Sequence, residues 1–119
     1  VNRAARKAFV QAGVGASDID VVEVHDCFTI AEIMVIEALG IAPRGCGGSG
    51  AESGATALGG KVPVNPSGGL KSKGHPVGAT GSRLIITALH ELERRDLGTA
   101  FVTMCCGSSV GAGAVIERL

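Results

Sequence analysis

Aromatic side chains are nearly missing from this chain: three Phe, no Tyr and no Trp among 119 residues. A platform for stacking nucleic-acid bases has no material here. An excess of charge is missing too, since 11 Lys and Arg balance 11 Asp and Glu. With no basic run or arm, the electrostatic footprint of a nucleic-acid binder is absent, and no nucleic-acid partner is expected. Apolar residues make up 45% of the chain, yet no uninterrupted apolar stretch reaches the roughly 20 residues of a membrane span. No signal-peptide pattern opens the sequence. The four cysteines, Cys27, Cys46, Cys105 and Cys106, contain no CxxC pair, which leaves a zinc ribbon or a thioredoxin-type site without support. A disulfide between adjacent Cys105 and Cys106 would be strained. Free thiols in a reducing compartment are expected: the cytoplasm, with an organelle left open.

Glycine, by contrast, is plentiful, and it punctuates a regular alternation of elements. Ala4, Ala5, Ala8, Phe9 and Ala12 recur at helical spacing, so residues 2–13 are expected as a helix ending at Gly13. Residues 19–25 (IDVVEVH) are expected as a strand. Residues 29–39 form a second expected helix with Ile30, Ile33, Met34 and Leu39 inward, closed by Gly40. Residues 43–60 are rich in Gly, Ser and Ala and read as one long loop. A short strand over 60–64 and a turn cluster over 65–69 follow. The longest helix is expected over 76–95, with Leu84, Ile85, Ala88, Leu89 and Leu92 inward. Residues 99–105 (TAFVTMC) read as a strand buried on both faces. Gly107-Ser108-Ser109 then turns the chain into an antiparallel strand over 111–117. About four strands and three helices in this order imply a single α/β layered domain with a mixed sheet. The chain length suits one domain and not two. It opens on Val1 with a helical pattern already under way, as expected of a piece of a longer polypeptide.

Three constellations carry chemistry. Lys73-Gly74-His75-Pro76-Val77-Gly78-Ala79-Thr80-Gly81 puts His75 at the mouth of the long helix, with Pro76 close to its first position. A rigid turn and nearby helix amides suit a general base or an oxyanion donor. His25-Asp26-Cys27-Phe28 lies where a strand ends and a helix begins, the edge at which α/β sheets gather ligands. There His25 can donate to a substrate oxygen or hold a water, whereas Asp26 suits a helix N-cap and Cys27 suits packing. Cys105-Cys106-Gly107 ends a buried strand, and a histidine or amide dipole beside Cys105 would make its thiol an acid or base. Taken alone, Cys105 would more often be an inert packing residue. Gly45-Cys46-Gly47-Gly48-Ser49-Gly50 spells G-x-G-x-x-G, but it lacks the preceding strand and reads as a flexible loop. His90 beside Glu91 carries no mark of function. The three histidines share no ligand spacing, so no metal is expected.

In order, HDCF, NPSGG…GHPVGATG and MCCGSSVGAGAVIER resemble the C-terminal half of a thiolase, over essentially the whole chain. They are most similar to the sterol carrier protein x-like type, in which HDCF replaces the N-E-A-F of other thiolases. The resemblance implies a thiolase-like α/β half with helices on both faces of the sheet. It implies that His75 activates a nucleophilic cysteine and helps bind the thioester oxygen. Cys105 would be the acid/base at the α-carbon of the acetyl group. His25 would replace an asparagine that orders a water in an oxyanion hole. The Gly107 amide would serve a second oxyanion hole, and Phe28 would lie near the pantetheine of coenzyme A. Coenzyme A would be a substrate, with no permanently bound cofactor. The expected partners are acyl-CoA, an N-terminal thiolase half and further copies of the same chain, as a dimer or tetramer.

Two departures accompany the resemblance. The family's nucleophilic cysteine belongs to the N-terminal half, and none of the four cysteines here matches it. The family's C-terminal half also begins with a strand ahead of the first helix. That strand is expected to be central, so its absence should leave unpaired backbone groups, with the rest of the molecule or another chain completing the sheet. Ser108-Ser109, where many thiolases have glycines, would narrow the site. The expected activity is acyl-CoA acetyltransfer once joined to an N-terminal half. The alternatives are a thiolase-fold aldolase on CoA-linked steroid side chains and a non-catalytic acyl-CoA or lipid-binding module.

Overall fold

The computed structural model describes residues 1–108 and 110–119, so the expected turn at Ser109 lies outside the described residues. The first helix, α1 (Asn2–Ala12), ends where Gly13 adopts φ 71° and donates its amide back to the last turn. A 3-10 turn at Ala16–Asp18 leads into β1 (Val21–Val24). Next come α2 (Thr29–Ala38), α3 (Gly47–Glu52), α4 (Gly69–Lys73), α5 (Thr80–Arg95), β2 (Thr99–Cys105) and β3 (Gly111–Glu117). The strand order is β1-β2-β3, with β1 parallel to β2 and β3 antiparallel to β2.

Side chains alternate across this sheet, and each face is covered by helices. On one face, Val22, Val24 and Phe101 pack with Ala5 and Ala8 of α1 and with Val35 and Ile36 of α2. The Phe101 ring is fully buried, with its centroid 4.9 Å from that of Phe9. On the other face, Val21, Ala100 and Val102 pack against Leu84, Ala88 and Leu92 of α5, with Leu70 of α4 beside them. The α/β layered fold with a mixed sheet and helices on both faces is therefore present.

Several expectations need correction. Among the described residues no gap interrupts the sheet: Val21–Val24 pair directly with Ala100–Thr103 and β2 pairs with β3, so a strand missing from this half is not a central one. The strand expected over 60–64 shrinks to one parallel bridge between Val22 and Val64. The long loop contains α3, whose start is held by the Glu37 carboxylate accepting the Gly47 amide at 2.9 Å. Only glycine fits there, because a Cβ at Gly47 would come within 2.8 Å of Ile33. Helix α4 was also missed, since its stabilising cap comes from a residue far away in sequence. Helix α5 starts at Thr80 rather than Pro76, because Pro76 instead heads a turn whose carbonyl accepts the Ala79 and Thr80 amides. Ile85 and Leu89 of α5, and Ile30 and Met34 of α2, are exposed rather than inward. Helix α2 is apolar on nearly every side, so periodicity could not select its buried stripe.

Candidate active site

Strands β1 and β2 run parallel, and their carboxyl ends deliver His25 and Cys105 side by side. The His25 amide donates to the Thr103 carbonyl at 3.1 Å, which fixes the chain just beyond β1. His25 Nδ1 then lies 2.9 Å from Cys105 Sγ and 3.0 Å from the Cys105 carbonyl oxygen. Its Nε2 is buried with no hydrogen-bond partner among the described residues. Such an atom is costly to bury unless something else meets it.

His75 comes from the loop between α4 and α5, and its ring centroid lies 4.6 Å from that of His25. Its Nδ1 is 2.7 Å from the hydroxyl of Thr80, a fully buried residue. That hydroxyl donates to the Pro76 carbonyl at 3.2 Å, so it accepts from His75 Nδ1–H. The network thereby assigns the proton to Nδ1 and leaves the lone pair on Nε2. Thr80 was not singled out from the sequence. Its signal was the five-residue spacing from His75, which becomes meaningful only once the Pro76 turn is known.

The loop carrying His75 is anchored to the HDCF segment. Asp26, expected as an N-cap for the helix that follows it, caps α4 across the chain instead. Its carboxylate accepts the Leu70 amide at 2.7 Å and the Lys71 amide at 3.3 Å. Gly69 makes this approach possible: it holds φ 58°, and a Cβ there would sit 2.6 Å from the Asp26 carboxylate oxygens. Asn65 braces the other side. Its Oδ1 accepts the Val24 amide at 2.8 Å, and its Nδ2 donates to Glu32 at 2.8 Å.

Cys27, read from the sequence as packing, enters the cluster: its Sγ lies 3.6 Å from Cys105 Sγ. Lys71 Nζ donates to the Cys27 carbonyl at 3.0 Å and lies 5.8 Å from the centroid of the Phe28 ring. Phe28 is 68% exposed, at the rim of the cluster rather than in it. Gly107 follows Cys105 by two residues with φ 68°, and it too is exposed. Cys46 and His90 lie outside this site: Cys46 precedes α3, and His90 sits on α5 beside Glu93. The G-x-G-x-x-G stretch runs into α3 with no strand before it, so it does not have the dinucleotide-binding arrangement.

Burial and neighbours set the protonation states. Burial lowers the pKa of His25, and the charge of His75 lowers it further, although the Cys105 carbonyl and Asp26 oppose this. His25 is therefore neutral at neutral pH. Burial pushes the Cys105 thiol up, and the hydrogen bond and charge of Cys27 add to this, so Cys105 keeps its proton. Beneath the site, Glu23 of β1 is almost fully buried with Oε1 unpartnered among the described residues. Burial raises its carboxyl to about 7; Glu91, Asp26 and Glu32 push the same way, and Lys73 opposes them.

A neutral imidazole, a protonated thiol and a second imidazole with a free lone pair can together move protons at a carbon acid and bind an oxyanion. A pocket of about 310 Å³ opens beside His25 and Cys105, between α2 (Ala31, Met34, Val35 and Ala38) and the start of the chain at Val1 and Asn2; His75 does not line it. No helix among the described residues is long and apolar enough to cross a membrane.

Comparison with known proteins gives the family. Residues 1–116 match the family described as thiolase C-terminal domain-like. The chain is 44% identical over 117 residues to sterol carrier protein 2 of Rattus norvegicus, covering 95% of this chain and 21% of that protein. It is 56% identical over 78 residues to an acetyl-CoA acetyltransferase of Methanothermobacter thermautotrophicus, covering 66% of this chain and 20% of that protein. It is 37% identical over 116 residues to the beta-ketothiolase BktB of Cupriavidus necator, covering 98% of this chain and 25% of that protein. The chain spans between a fifth and a quarter of the length of these relatives. By sequence match, fold and motif order, the chain belongs to the thiolase C-terminal domain-like family.

Proposed function

We propose that this domain is the acid/base and oxyanion half of an acyl-CoA acetyltransferase acting on 3-oxoacyl-CoA. The reading rests on one observation: His25, His75 and Cys105 converge at the carboxyl ends of β1 and β2, with His25 Nε2 buried and unpartnered among the described residues. Names of relatives that specify acetyl-CoA acetyltransferase and beta-ketothiolase support it.

In thiolysis, a cysteine from an N-terminal half would give its proton to His75 Nε2 and attack the 3-oxo carbonyl. Cleavage of the bond between the α- and β-carbons leaves an acyl-enzyme thioester and the enolate of acetyl-CoA. His75 Nε2–H, and a water that donates one proton to His25 Nε2 and the other to the substrate, supply hydrogen bonds to the thioester oxygen as its charge grows. The Cys105 thiol protonates the α-carbon and becomes a thiolate. Free coenzyme A then gives its thiol proton to Cys105 and takes the acyl group, and the released cysteine thiolate recovers its proton from His75, which restores the enzyme. The Gly107 amide would bind the oxyanion of the acyl-transfer steps, and the rim position of Phe28 suits contact with a pantetheine arm. Assembly as a homo-oligomer and a cytoplasmic or other reducing location belong to the same proposal.

Sterol carrier protein 2 among the relatives raises the lipid-carrier reading. A carrier, however, has no use for a buried imidazole held 2.9 Å from a thiol. In the full-length protein, Cys105→Ala should lower kcat for thiolysis by about 10²–10⁴-fold, the usual contribution of a positioned acid or base. Cys27→Ala should cost far less. Unchanged thiolysis by Cys105→Ala, or a larger loss in Cys27→Ala, would remove Cys105 from the acid/base role.

A further inference from the structure

The spacing of residues along the sequence offers no metal-ligand set, yet folding assembles one. His25 and Cys27 come from the segment after β1, and Cys105 from the end of β2. One ligand atom from each lies within 4.8 Å of the other two, and they form the one such group of three among the described residues. We infer that His25 Nδ1, Cys27 Sγ and Cys105 Sγ form a binding site for a soft divalent cation of the zinc class.

The geometry is close to what such an ion needs. Bonds of about 2.3 Å to sulfur and about 2.0–2.1 Å to nitrogen in a tetrahedron separate two sulfurs by about 3.8 Å and sulfur from nitrogen by about 3.6 Å. The two sulfurs are already 3.6 Å apart. Cys105 Sγ and His25 Nδ1 are 2.9 Å apart, so this pair must open by about 0.7 Å. Cys27 and Cys105 are both partly exposed, so a small side-chain rotation can supply that opening. Two thiolates and an imidazole select a borderline-soft ion over magnesium or calcium, which take oxygen ligands. Three protein ligands leave a fourth position, and the pocket beside His25 and Cys105 admits a water or a ligand thiol to it.

The site has a built-in weakness that sets its character. With Nδ1 on the metal, the ring proton moves to Nε2, which has no acceptor among the described residues. Histidine ligands of tightly held zinc normally donate that proton to an outer-shell partner. Nδ1 must also give up its contact with the Cys105 carbonyl. Binding is therefore reversible and weaker than at a structural zinc site, and each bound ion displaces two thiol protons. Binding itself does not depend on the proposed function. Its consequence does: an ion there would take the proton from Cys105 and silence the acid/base.

The test uses the reduced full-length protein and Co²⁺ as a coloured stand-in for Zn²⁺. One equivalent should produce thiolate-to-cobalt charge transfer and the visible bands of a tetrahedral ion, and Zn²⁺ should abolish both. Cys27→Ser and Cys105→Ser should each weaken cobalt binding by more than about 100-fold, beyond the roughly 10–100-fold that loss of an outer-shell partner costs. Cys46→Ser and Cys106→Ser should leave the spectrum unchanged. Circular dichroism checks that each variant is folded, and if Cys105→Ser is not, Cys27→Ser decides alone. Absence of a thiolate band, or a band that survives Cys27→Ser, overturns the site. Because the readout is spectroscopic, it is independent of whether the protein turns over a 3-oxoacyl-CoA.

Discussion

Replacing Thr80 by valine separates holding a histidine from merely holding a fold. Thr80 is fully buried, and its hydroxyl makes two contacts: it accepts from His75 Nδ1 at 2.7 Å and donates to the Pro76 carbonyl at 3.2 Å. Valine keeps the volume and removes both. The Pro76 carbonyl still accepts the Ala79 and Thr80 amides, so the fold loses only a weak donor and stability should fall by about 0.5–1 kcal/mol. The catalytic cost is larger. When His75 takes the proton of the nucleophile, its bond to Thr80 becomes charge-assisted, worth about 1.5–3 kcal/mol. That corresponds to roughly a 10- to 150-fold loss in kcat. KM should barely change, because Thr80 touches no substrate. Steady-state thiolysis by full-length protein, with urea denaturation alongside, measures both quantities, and Thr80→Ser should restore most of the rate. A Thr80→Val enzyme within twofold of the parent, or a serine variant as impaired as the valine one, would refute the assigned tautomer and the base role of His75.

Further outcomes follow from Glu23 and Gly69. The Glu23 carboxyl titrates at about 7 in the folded protein against an ordinary 4.5, so the folded state holds the proton more tightly. Its contribution to stability is therefore complete below about pH 4.5 and is lost as pH rises through about 7. Glu23→Gln should flatten this slope and be more stable than the parent at pH 8, by at most roughly 3 kcal/mol. Parallel denaturation curves across pH for the two proteins would contradict this. Gly69→Ala places a Cβ 2.6 Å from the Asp26 carboxylate at φ 58°. A destabilisation of about 1–3 kcal/mol is expected, from the left-handed backbone cost plus the disturbed cap on α4. A loss under about 0.5 kcal/mol in urea denaturation would show that the cap is unimportant.

What the sequence disclosed, and what it hid, depended on how local the cause was. Helix α1 was legible because its apolar residues repeat at helical spacing and Gly13 stops it. The hairpin of β2 and β3 was legible because two apolar runs flank a glycine-rich turn. Helix α4 was not legible, since its cap is Asp26, 44 residues away from Leu70. The buried stripe of α2 was obscured because apolar residues surround the helix, and periodicity needs a contrasting polar face. The central place of the missing strand rests on family order rather than on residues, and the direct pairing of β1 with β2 corrects that place. His25, His75 and Cys105 stood out as motifs. That Cys27 would lie 3.6 Å from Cys105 could not be read from a sequence, because it depends on the register of β1 against β2.

The most direct measurement concerns the α-protons of acetyl-CoA. The full-length protein should exchange them with deuterium from heavy water without any condensation partner: once Cys105 has released its proton to solvent, its thiolate can remove an α-proton and return a deuteron, while the two imidazoles hold the enolate oxygen. The account predicts that exchange falls by at least about 100-fold in Cys105→Ala and persists in Cys27→Ala. Undiminished exchange in Cys105→Ala, or loss confined to Cys27→Ala, would contradict it.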